Sequence, residues 1–174
     1  MTSGSAVIAA VLSLSACGAV DGETSTSATS SQPVLADFGP CDDMSPDIVE
    51  RRGLEMLGGY RSENVIGGEP GRVCRYLNST DGYALLIATT AAELGYPEIA
   101  YKETFEPVRI GGRDAVQNGP QTGSSDVYKC RLLVDMAVGG LWFLFTRHSV
   151  HPGDPCADLA EIATEVVITL PPGS

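Results

Sequence analysis

The chain has 174 residues, 43% of them hydrophobic and 19% charged, with 22 Asp and Glu against 11 Lys and Arg. That balance excludes a disordered polyelectrolyte and a multi-span membrane protein, and a chain of about 150 residues can bury about two-thirds of its unfolded surface. A net charge of −11 argues against a nucleic-acid binder, which needs a basic footprint, and against electrostatic docking to anionic lipid.

Residues 1–16 read as a secretory signal peptide. The apolar run Ala6–Leu14 is nine residues long, too short to cross about 30 Å of hydrocarbon and of the length of a signal h-region. It leads into Leu14-Ser15-Ala16-Cys17, the order of a bacterial lipobox. In that chemistry the Cys17 thiol takes a diacylglycerol, and small residues at 15 and 16 fit the peptidase that frees its amine. At about 0.8 kcal/mol per buried methylene, one acyl chain anchors weakly and two anchor stably. No Lys or Arg precedes the apolar run. Either the α-amine alone supplies the positive charge or translation starts upstream, and the second is expected. Residues 17–37 then comprise lipidated Cys17 and a flexible tether rich in Ser, Thr, Ala and Gly. Residues 38–174 are expected to form a single globular domain.

Ser45-Pro46-Asp47 carries helix-start chemistry: a capping residue, a proline for the first turn and an acid for the dipole. Gly53 is placed to end this short helix after Arg52. Gly58 to Gly71 holds five glycines and a proline and reads as loop. Arg72–Thr80 and Tyr83–Thr90 form a hairpin across Asp81-Gly82, which suits a type I′ turn. Ala91–Phe105 reads as partly helical and broken by Pro97. Val108–Ile110 turns at Gly111-Gly112 and returns as Asp114–Gln117. In Val127–Ala137, Tyr128, Cys130, Leu132, Val134 and Met136 share one face, while Lys129, Arg131 and Asp135 mark a wet one. Gly139-Gly140 leads into Leu141–His148. Asp154-Pro155-Cys156 caps a last helix to about Thr169, with Leu159, Ile162, Ala163, Val166, Val167 and Leu170 as its apolar stripe.

The fold class expected is α+β. Tight turns make neighbouring strands antiparallel, so the simplest scheme is an antiparallel sheet of about six strands with helices packed on one face. Setting Cys17 aside leaves Cys41, Cys74, Cys130 and Cys156, and four cysteines in an exported chain read as two disulfides with three possible connectivities. The pairing expected is Cys41–Cys74 with Cys130–Cys156, which joins each terminal helix to a strand near it in sequence. Each closes a loop of about 30 residues, worth about 3–4 kcal/mol on chain-entropy grounds. No Cys-x-x-Cys occurs, which disfavours zinc or thioredoxin-type chemistry.

Gly39-Pro40-Cys41, Val73-Cys74-Arg75-Tyr76, Ile110-Gly111-Gly112-Arg113-Asp114-Ala115-Val116 and Asp154-Pro155-Cys156-Ala157-Asp158-Leu159-Ala160 follow one another behind the lipobox and tether. In this order the chain resembles a family of actinobacterial lipoproteins catalogued only as a domain of unknown function, number thirty-five fifty-eight. The resemblance covers roughly Phe38–Pro172 and departs from the pattern at Tyr76, where Trp is expected. It implies an exported, membrane-anchored, cysteine-bridged domain and supplies no activity.

Catalytic candidates are weak. His148, His151 and Asp154 are suitable metal ligands, but their spacing matches no standard site and suits a solvated loop. No Gly-x-Ser-x-Gly elbow exposes a serine. Asp42-Asp43 fits a helix N-terminus better than a catalytic carboxylate pair. Gly67-Gly68-Glu69-Pro70-Gly71 and Gly111-Gly112 match turns rather than phosphate loops. Trp142, Phe143 and Phe145 suit a core better than a ligand groove. Asn78-Ser79-Thr80 fits a glycosylation sequon but falls beside a turn.

The expectation is therefore a monomeric lipoprotein on the extracytoplasmic face of the plasma membrane. It is non-enzymatic, without catalytic residues, cofactor or metal, and does not bind nucleic acid. Its domain binds an envelope protein or ligand. A small-molecule or lipid carrier with an internal pocket, and an extracytoplasmic hydrolase, are the alternatives.

Overall fold

In a computed structural model, which describes residues 38–66, 68–122, 126–148 and 153–170, the alternating segments build one antiparallel sheet. Its strands are β1 (Glu55–Ile66), β2 (Glu69–Asn78), β3 (Tyr83–Thr90), β4 (Glu106–Ile110), β5 (Arg113–Gln117), β6 (Gln121–Thr122), β7 (Val127–Asp135) and β8 (Gly140–His148). They lie in the order β1-β2-β3-β8-β7-β5-β4, with the two-residue β6 pairing to β7. The six strands expected are present, and β1 and β6 complete the sheet.

Helix α1 (Pro46–Arg51) and helix α3 (Pro155–Thr169) cover one face, where Ile48, Leu159, Ile162 and Val166 pack on Leu85, Leu132, Phe143 and Phe145. Asp154 caps α3 through Cys156 N at 2.9 Å. The apolar stripe then runs inward, with Leu159, Ile162, Ala163, Val166 and Val167 all buried. Burial of each large aliphatic contributes about 1.5–3 kcal/mol.

The reading of Gly58–Gly71 as loop is corrected. It is mostly strand, and Gly59 and Gly71 answer close approaches rather than turns. A Cβ on Gly59 would run into Cys41 Sγ, and one on Gly71 into the carbonyl oxygen of Thr89. Gly58 carries φ +120° where the β1–β2 register shifts between Met56 and Gly58, as a bulge requires.

The β2–β3 turn is also not the two-residue type I′ expected. Asn78 pairs directly with Tyr83, so the loop is Ser79-Thr80-Asp81-Gly82, and of these Gly82 alone has positive φ (63°). Gly111 and Gly112, both at positive φ, do form a two-residue turn between the paired Ile110 and Arg113. Pro97 begins rather than breaks its helix, lying in the first turn of α2 (Tyr96–Tyr101), where its missing N–H costs nothing.

The second face of β7 is not uniformly wet. Leu133 is fully buried there in a smaller cluster with Val73, Ala88, Phe105 and Trp142. The α2 segment covers it, with Tyr101 stacked on Trp142 at 5.5 Å between centroids.

Candidate functional site

Two register facts build the site. Leu141, Phe143 and Phe145 alternate toward the helices, and the next residue on that face is Arg147. At the other side of the helical face, α1 ends at Arg52, and Gly53 (φ 56°) turns the chain away. The Arg52 carbonyl is thereby left without a helical partner and accepts from Asn78 Nδ2 at 2.8 Å and from the Tyr83 hydroxyl at 3.1 Å. Asn78, buried on the last residue of β2, also accepts from Asp81 N at 2.7 Å.

Arg147 is 7% exposed. Its guanidinium donates to Asp158 and, at 2.9 Å, to the Gly153 carbonyl, and lies 5.9 Å from the Phe145 ring centroid. Its Nε is buried without a hydrogen-bond partner among the described residues.

Between these groups opens a surface crevice of about 570 Å³. Its lining brings together Arg51, Arg52 and Arg147 with Glu50, Asp81 and Asp158, and Tyr83 and Ile162 also line it. Behind it Arg52 binds Glu165 on α3 at 2.7 Å. That hydrogen bond pulls the Glu165 carboxyl below its ordinary value and raises the Arg52 guanidinium. Burial raises the Tyr83 phenol. Among the described residues the crevice lining contains no Ser, His or Cys. Its chemistry is multidentate hydrogen bonding to a polar ligand, with most donors pre-positioned by partners of their own.

The cysteines pair as Cys41–Cys74, with Cα atoms 5.2 Å apart, and Cys130–Cys156, at 5.4 Å. The first ties the segment before α1 to β2; the second ties β7 to the first turn of α3.

The other sequence candidates are placed apart. His148 is exposed at the end of β8, Asp154 is spent on the α3 cap, and Ser149 and His151 lie outside the described residues, as do Gly67 and residues 1–37 with Cys17. Among the described residues no group of three His, Cys, Asp or Glu is placed to hold a metal, and no helix is long and apolar enough to cross a membrane. Asp42 pairs with Arg72 at 3.2 Å and Asp43 accepts from Gly39 N at 2.6 Å. Trp142, Phe143 and Phe145 are core. The Asn78 amide is engaged as described.

Sequence reasoning missed Arg52, Asp81 and Arg147 as a group. The available signal was Arg147, a charge standing at an inward position of an otherwise apolar alternation.

Fold and site together define an α+β domain, an antiparallel sheet stapled to its flanking segments by two disulfides and carrying a polar crevice at one corner. The chain belongs to the family described as Protein of unknown function (DUF3558), which it matches over residues 12–169. No curated protein and no solved structure matches it.

Proposed function

We propose that this chain is a secreted lipoprotein, acylated at Cys17 and held on the extracytoplasmic face of the plasma membrane. Its domain is a non-catalytic binding module that engages a polar envelope ligand or protein at the crevice between Arg52, Asp81 and Arg147. The observation that carries the reading is the state of the cysteines. Four of the five are paired with one another. Structural disulfides persist in oxidising compartments, and the fifth sulfur belongs to Leu14-Ser15-Ala16-Cys17. The crevice supports binding, since rigid, partnered donors and acceptors orient a polar ligand without the entropy cost of ordering them.

Location and binding are tested separately. Intact mass of protein isolated from membranes is expected to show acyl chains on Cys17, and Cys17→Ala to release the chain into the soluble fraction. An unacylated product with free thiols overturns the location. For binding, the folded protein is incubated with envelope extract beside variants Glu50→Lys and Thr80→Lys, which crowd the crevice from exposed positions. Retention of an extract component by the parent and its loss in both variants is expected. Equal retention by all three removes the crevice from the reading.

A further inference from the structure

The two disulfides are protected to different degrees. Cys130 is fully buried and Cys156 nearly so, and Cys156 Sγ lies 3.5 Å from the Asn118 carbonyl oxygen in the interior. Cys74 is likewise fully buried. Cys41 is only partly buried and lines a second crevice, of about 400 Å³, with Gly59, Tyr60, Arg61 and Arg72.

The sheet explains the difference. Gly59 on the edge strand β1 pairs with Cys74 on β2. A Cβ on Gly59 would run into Cys41 Sγ, so that sulfur lies over the edge strand, in space that any side chain at 59 would fill. Access decides which sulfur of a disulfide a thiolate attacks, and here it favours Cys41. The charge of the crevice points the same way. Arg61 and Arg72 stand in its lining against one carboxylate, Asp42, which already pairs with Arg72 at 3.2 Å. Neighbouring guanidinium groups favour a thiolate over a thiol.

We propose that Cys41–Cys74 is a reducible staple, opened by a dithiol that attacks Cys41 Sγ through this crevice, and that Cys130–Cys156 stays closed under the same conditions. One thiolate of the reductant bonds to Cys41 Sγ as the Cys41–Cys74 bond breaks, and the electron pair leaves on Cys74 Sγ. Held in the core, the Cys74 thiolate re-attacks the mixed disulfide and expels a monothiol. A dithiol escapes this, because its second thiolate attacks the reductant sulfur bonded to Cys41 and releases Cys41 as a thiolate. Both protein sulfurs then take protons and the reductant is left as its own disulfide, so two electrons and two protons have passed to the protein.

The bridge controls how the chain enters the domain. The segment from Phe38 to Met44 is tied to β2 by this bond, by the Tyr76 hydroxyl on the Pro40 carbonyl and by the Arg72–Asp42 pair. Opening the bridge leaves that segment on β2 by noncovalent contacts alone, while α3 keeps its own bridge to β7.

The test uses the full folded chain carrying Cys17→Ser, so that all four remaining sulfurs are paired, with dithiothreitol as the probe. Samples are quenched with acid at intervals, unfolded, alkylated and mapped by mass. Cys41–Cys74 is expected to open about tenfold faster than Cys130–Cys156, or more, and glutathione at matched thiolate concentration to open it about tenfold more slowly than dithiothreitol. Arg61→Glu, on an exposed side chain, is expected to slow the opening of Cys41–Cys74 about threefold and to leave the other bridge unchanged. Equal opening of the two bridges, as global unfolding gives, or earlier opening of Cys130–Cys156 overturns the proposal. Equal rates with glutathione and dithiothreitol overturn the dithiol as the reductant class, and an unchanged rate in Arg61→Glu overturns the crevice as its route.

Discussion

Arg52 grips Glu165 with both arms of its fork, Nε at 3.2 Å and Nη2 at 2.7 Å. The last turn of α1 is thereby tied to α3 by a pair 113 residues apart in sequence. Arg51 adds a third donor to the same carboxylate at 3.2 Å.

This pair makes stability depend on acid in a defined direction. The Glu165 carboxyl titrates below its ordinary 4.5 because Arg52 hydrogen-bonds its charged form. A depressed folded value means that the stabilisation is complete above the unfolded value and is lost as pH falls through the folded one. The urea midpoint of the parent is expected to drop more between pH 7 and pH 3 than that of Glu165→Gln. Equal drops would show that the pair contributes nothing to the acid limb.

Arg147 and Asp158 are unequal partners, at 7% and 41% side-chain exposure. Asp158→Ala strands a buried cation and is expected to cost about 3 kcal/mol, whereas Arg147→Met leaves a carboxylate that water can reach and costs about half of that. Equilibrium denaturation of the two variants checks the order, and the reverse ranking would contradict the burial described.

The Tyr76 hydroxyl donates to the Pro40 carbonyl at 2.5 Å, and burial, with a smaller push from Asp42, raises its pKa from 10.0 to about 12. Tyr76→Phe leaves that carbonyl unpaired and is expected to cost about 1–3 kcal/mol. A raised folded value also means that stability is full below pH 10 and declines as pH climbs toward 12. Ultraviolet titration should show one phenol fewer at the alkaline end in the variant.

Each disulfide closes a substantial loop, with sequence separations of 33 and 26. Replacing Cys130 and Cys156 together by Ser is expected to remove about 3–4 kcal/mol, read as a lower denaturation midpoint with little change in native circular dichroism. The Cys41/Cys74 double variant should lose a similar amount and in addition free the segment that overlies Gly59, seen as faster amide exchange in β1.

Much of the framework is visible in residue order because it is local. The Gly111-Gly112 turn, the alternation of β7 and β8, and the inward stripe of α3 each depend on neighbours within a few residues. β1 was opaque for a physical reason. A glycine demanded by Cys41 Sγ overhead and a glycine demanded by positive φ are the same letter, so a strand threaded beneath a disulfide looks like a loop. Pro97 was similarly ambiguous, since proline both starts helices and stops them. The crevice escaped notice because its parts come from α1, the β2–β3 turn, β8 and α3, which no spacing rule connects.

By itself, then, the amino-acid order determined the α+β class, the antiparallel hairpins and the amphipathic last helix, since periodicity and turn chemistry act over short stretches of chain. Only the tertiary structure decided which strands became edges, that the α2 segment covers the second face, and that Arg147, Asp81 and Arg52 meet at one corner. Those outcomes depend on which distant segments exclude water from one another, and that is settled by packing across the whole sheet rather than along the chain.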